Sequence, residues 1–61
     1  MLKDKIKKLA NEQGMTLRDV AVKSEVPYSA IMEWNSSIPN AVALAEVAKV
    51  LGTTSEELLK D

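Results

Sequence analysis

A chain of 61 residues supports one domain and buries only about 60% of the surface its unfolded form exposes, so its core is small and its stability modest. With no cysteine and no histidine it has no disulfide staple, no thiolate or imidazole metal ligand, and none of the usual nucleophile and base pairs of hydrolases. Eight basic against nine acidic residues give a formal charge of −1, which offers no global attraction to nucleic acid or to anionic membranes. Any anion binding must therefore be local.

Along the chain, Leu2, Ile6, Leu9 and Ala10 recur at helical spacing and predict a first helix that ends near Gly14. Lys3, Lys5, Lys7 and Lys8 fill the other positions and read as a solvated face, with Asp4 paired to Lys8 at helical spacing. Thr16 then stands as an N-cap with Asp19 three residues on, and Leu17, Val20 and Ala21 form the apolar face of a second helix running to about Ser24. Pro27 fits the opening of a third helix, because it needs no amide partner there and presets φ. Ala30, Ile31 and Trp34 make the buried stripe of that helix. At roughly 100° per residue, Tyr28, Ser29, Met32, Glu33 and Ser36 fall on its opposite side.

The segment "SSIPN" reads as a loop, and Asn40 caps a fourth helix with Leu44, Val47, Ala48 and Leu51 inward and Gly52 at its end. Thr54 and Glu57 form a capping box for a short last helix carrying Leu58 and Leu59. Val22 and Val42 point away from the inferred core. The expected architecture is all-α, a compact five-helix bundle filling residues 1–61 as one domain, without strands, repeats or linkers. The apolar runs are far below the ~20 residues of a membrane-spanning helix and the amino terminus does not have the layout of a signal peptide, so a soluble cytoplasmic protein is expected.

Two short helices joined by a tight turn in a bundle of this size have the form of a helix-turn-helix. The pattern "MTLRDVAVKSEVPYSAIMEW", followed by "IPNAVALAEVAKVLGTTSEELL", is similar to the Cro and C1-type repressor helix-turn-helix family, also called the XRE family. The resemblance covers nearly the whole chain, and its most specific parts are Ala21 with Val26 five residues later, Ile31 in the next helix, and the ending "LAEVAKVLGTTSEELL". It implies a lambda-repressor-like bundle and a sequence-specific DNA-binding regulator of phage or bacterial type. Such a regulator places its third helix, here about residues 28–35, in the major groove and binds a palindromic operator as a homodimer. The family's common contact around the last two helices makes Leu59 a candidate dimer residue.

Several residues depart from the family pattern. Glu25 stands at the turn position where the family most often has glycine, because a positive φ is needed there, and a non-glycine residue in that conformation costs on the order of 1 kcal/mol. Ala10 and Asn35 replace an arginine and a glutamate that form a partly buried ion bridge in many members. Losing both together is physically coherent, since removing one alone strands a charge. Leu17 replaces a frequent phosphate-binding glutamine, and the loop after Trp34 is short and lacks the family's usual basic and glycine residues.

The third helix offers no lysine or arginine, so base readout is expected from uncharged and acidic groups. Ser29 donates or accepts at a base edge, Glu33 accepts from a cytosine amino group, and Tyr28 and Met32 lie against thymine methyls. Phosphate contacts are expected from Arg18, Lys23, Thr16, Ser36, Ser37 and Asn40, with the backbone amides at the starts of the second and fourth helices. Trp34 reads as core rather than as a base-stacking platform. No catalytic residue, metal, cofactor, membrane or small-molecule substrate is expected. A second function class remains open, a protein-interaction module of antirepressor or antitoxin type that keeps this fold with weak or no DNA binding. The departures at Glu25 and Ser37 also admit an engineered variant.

Overall fold

Among the residues that this computed structural model describes, 1–37 and 39–60, five helices follow one another, α1 Leu2–Glu12, α2 Leu17–Ser24, α3 Tyr28–Met32, α4 Ala41–Val50 and α5 Ser55–Leu59. Among these described residues there is no strand. The Cα radius of gyration is 9.9 Å, close to the about 10.5 Å that a packed chain of this length has. Of the expected loop, Ile38 lies outside the described residues.

Three of the helices, α2, α4 and α5, begin where the N-cap side chain takes over an orphan amide. At α2 both halves of the capping box form: the Asp19 amide donates to Thr16 Oγ1 at 3.2 Å and the Thr16 amide donates to Asp19 Oδ2 at 3.0 Å. Asn40 Oδ1 accepts from the Ala43 amide at 2.8 Å at the start of α4. At α5 only half of the expected box forms. Thr54 Oγ1 accepts from the Glu57 amide at 3.1 Å, while Glu57 Oε1 lies 3.9 Å from Lys60 Nζ. Pro27 takes the cap position of α3, one residue earlier than the first helical position, and its carbonyl accepts from Ala30 and Ile31.

The ends of α1, α2 and α4 share one pattern. Met15, Val26 and Thr53 each donate their amide to a carbonyl five residues back, on Ala10, Ala21 and Ala48, at 2.8, 3.1 and 2.9 Å. The residue before each donates to the carbonyl three residues back, completing a Schellman motif, and itself takes the left-handed conformation. Those residues are Gly14 at φ 73°, Glu25 at φ 59° and Gly52 at φ 70°. The strained turn expected at Glu25 is present.

One cluster of buried side chains joins all five helices: Ile6 and Ala10 of α1, Val20 and Ala21 of α2, Ile31 of α3, Leu44, Val47 and Ala48 of α4, and Leu58 of α5, with Val26, Trp34 and Leu51 beside them. These are the stripes that helical spacing marks out. Helix α4 packs most extensively on α2 and also on α5, and α1 closes over α2 and α5. Val22, Val42 and Leu59 remain exposed.

Helix α3 is shorter than expected. After Met32 the chain tightens into bonds spanning three residues, from Glu33 to Ala30 and from Trp34 to Ile31, both 3.1 Å. Ser36 and Ser37 favour this ending, since both hydroxyls donate to the Glu33 carbonyl at 3.2 Å, a local bond that competes with helix continuation.

Three side chains cap helices other than their own. Asn35 Oδ1 accepts from the Lys3 amide at 2.9 Å, supplying the side-chain cap that Met1 does not give α1. Gln13 Nε2 donates to the Leu51 carbonyl at 2.8 Å at the end of α4. Lys5 Nζ donates to the carbonyls of Glu57 and Lys60 at the end of α5.

Candidate nucleic-acid interface

Burial of Ile31 and Trp34 fixes the roll of α3, and Ser29, Met32 and Glu33 emerge on its exposed side. Glu33 is the residue that closes α3 rather than part of its interior. Tyr28 departs from the outward reading. It is half-buried against the core, and the Arg18 guanidinium carbon sits 4.4 Å from its ring centroid. A cation over an aromatic face is worth about 0.5–1 kcal/mol at an exposed site, enough to give both side chains a preferred place. Helices α2 and α3 thereby share a surface residue pair.

The phosphate candidates divide by what they already bond. Thr16 uses an oxygen lone pair in its cap and keeps its hydroxyl proton to donate, and Asn40 keeps its side-chain amide protons. Among the described residues the amides of Leu17 and Arg18, at the first turn of α2, have no backbone partner. Lys23 is exposed in the last turn of α2. Ser36 and Ser37 are weaker donors than the sequence suggests, because the single proton of each hydroxyl and the backbone amides of both, at 3.0 and 2.8 Å, are given to the Glu33 carbonyl. A phosphate at these serines has to displace a local bond.

Asp19 is held ionised. The Thr16 amide donates to its carboxylate and, with the nearby Thr16 hydroxyl dipole and a smaller pull from Lys23, lowers its pKa below the usual aspartate value, against an opposing effect of desolvation.

The lysines of α1 do not form one uniform solvated face. Lys5 is committed to the end of α5. Lys8 lies on the side of Leu58 and Leu59. Lys3 and Lys7 border a groove whose other side is built by Thr16, Tyr28 and Met32. The expected Asp4–Lys8 pair does not form: among the described residues the one ion pair is Glu57–Lys60, and Asp4 Oδ2 instead accepts from Asn35 Nδ2 at 3.3 Å. Asn35, expected only as half of a lost ion bridge, reaches the start of α1 rather than Ala10.

On another side of the molecule, a second and more apolar groove runs between the α2–α3 turn and the start of α4, with Val26, Pro27, Ala30, Trp34 and Val42 in its walls. Among the described residues no group of three or more aspartates and glutamates is placed to hold a metal ion, and no helix is long and apolar enough to cross a membrane. Comparison with protein-family models, curated proteins and solved structures finds no match to this chain.

Proposed function

We propose that the chain is a sequence-specific DNA-binding transcriptional regulator, a repressor or Cro-like protein or the amino-terminal domain of one, built on a lambda-repressor-like helix-turn-helix of α2 and α3. The observation that carries the reading is the turn itself. Glu25 takes φ 59° and ψ 31°, the left-handed geometry that the resembled family ordinarily assigns to glycine, and Val26 and Ile31 are buried on either side of Pro27. In this reading α3 enters the major groove with Ser29, Met32 and Glu33 toward base edges. The first turn of α2, with Thr16 and Arg18, meets a phosphate strand. A homodimer on a palindrome presents two such helices about 34 Å apart, one turn of B-DNA. The cytoplasm is the corresponding site of action.

A protein-interaction module on the same fold is the second reading. It is favoured by the apolar groove between the turn and α4, and by the absence of any lysine or arginine on α3. Selection from a random duplex library at low salt separates the two. Enrichment of a palindrome supports the regulator, and failure of the folded protein to enrich any sequence supports the interaction module.

A further inference from the structure

We infer that the groove between α1 and the start of α2 seats the DNA phosphate backbone, with Lys3 and Lys7 as the cations that hold it; this rests on the DNA-binding reading. Duplex affinity comes chiefly from phosphates neutralised by lysine and arginine, each releasing counterions. The exposed side of α3 presents Ser29, Met32 and Glu33 and no cation, so helix α3 supplies none of this term. Arg18 of α2, stacked on Tyr28, is one cation beside α3, and further charge has to come from a neighbouring element that shares a wall with it.

Helix α1 is that element. Lys3 and Lys7 are four residues apart, which sets their Cβ atoms about 5–6 Å from each other on one side of the helix. They border the same groove as Tyr28 and Met32 of α3. A backbone strand flanking a major groove that holds α3 passes along this wall. On its way it meets the Thr16 hydroxyl and the unpaired Leu17 and Arg18 amides, which carry the positive end of the α2 dipole. Among the described residues no carboxylate lies within ion-pair distance of either ammonium group. The one carboxylate in the groove, Asp4, accepts from Asn35. Lys5, on the same helix, is spent on the end of α5. The division among these lysines, invisible in their spacing, is what turns a chain of formal charge −1 into one with a locally cationic groove.

The test uses a random-sequence duplex in fluorescence anisotropy across a salt series, with two double variants that change net charge equally. In the first, Lys3→Gln is combined with Lys7→Gln. In the second, Lys8→Gln is combined with Lys49→Gln. The first should weaken binding at low salt at least tenfold and flatten the slope of log K against log[salt] by about 1.8 per subunit, two phosphates at roughly 0.9 each. The second should stay within about twofold of the unchanged protein, since one or two surface charges distant from the contact act only through a screened field. Restoring charge with Lys3→Arg and Lys7→Arg should recover both affinity and slope, which a folding defect does not allow. Equal weakening by the two double variants overturns the groove while leaving DNA binding intact. No binding by the unchanged protein at low salt overturns both together.

Discussion

The turns that end α1 and α4 and the turn between α2 and α3 use one hydrogen-bond pattern, but the left-handed residue is glycine in the first two and glutamate in the third. At Gly14 and Gly52 the conformation is cheap, because without a Cβ the positive φ meets no clash. At Glu25 it is imposed by what surrounds it. Val26, directly after it, is buried, whereas the matching residues Met15 and Thr53 are half-buried. Ser24, directly before it, is buried with its hydroxyl donating to the Val20 carbonyl at 2.7 Å. Strain of this kind persists only where packing over-determines the backbone. In this chain it sits at the turn that orients α3, the helix proposed to enter the groove.

The sharpest way to break the comparison is to remove the packing that holds the strained turn. Val26→Ala should cost about 2 kcal/mol, from lost methyl burial plus a small cavity, whereas Thr53→Ala at the equivalent position should stay within about 0.5 kcal/mol. Similar denaturant midpoints for the two variants would show that Val26 has no special part in the turn. Next in size, Gly52→Ala and Gly14→Ala should each destabilise by about 1 kcal/mol through φ alone. A Cβ at either position meets no atom within 4 Å, so no steric contribution confuses the measurement.

Glu25→Gly should move the other way. Relief of the left-handed penalty is partly offset by the freedom glycine gains in the unfolded chain, leaving a stabilisation of roughly 0.5–1 kcal/mol. A lower midpoint would mean that the Glu25 side chain, not only its backbone, supports the turn. The smallest effect lies at the opposite end of α2 and appears with pH. Because the folded-state pKa of Asp19 is depressed, its contribution is fully present above the unfolded value of about 3.8 and is lost as pH falls through the lower folded value. The stability difference between the unchanged protein and Asp19→Asn should therefore be flat near neutrality and close in strong acid. A gap that widened in acid would contradict the capping geometry.

Most helix limits were legible in the sequence because they are decided locally, but the end of α3, expected near residue 35 and found at Met32, was not. Thr16, Asn40 and Thr54 cap the residues three positions on, and Gly14 and Gly52 end what precedes them. The core stripes were legible for the same reason, and so were the exposed positions of Val22 and Val42. What spacing does not carry is the choice among partners far apart in the chain. The four lysines of α1 look alike until α5 brings its carbonyls to Lys5 and α3 brings Tyr28 and Met32 to the groove of Lys3 and Lys7. Asn35 likewise has no local signal for a bond to an amide 32 residues earlier. Angle alone places Tyr28 outward, and periodicity has no means of anticipating that Arg18 from the preceding helix covers its ring.

The bond from the Lys3 amide to Asn35 changes how the start of α1 should behave in time. Amides in the first turn of a helix have no intrahelical acceptor and ordinarily exchange with solvent as fast as fraying allows. The Lys3 amide is instead held by a half-buried side chain that stands beside buried Trp34, so its release requires Asn35 to leave its place at the end of α3. Its hydrogen should exchange more slowly than that of the Leu2 amide beside it. Deuterium uptake at that single position thus reports each parting of the start of α1 from the residues that follow the helix proposed to read DNA.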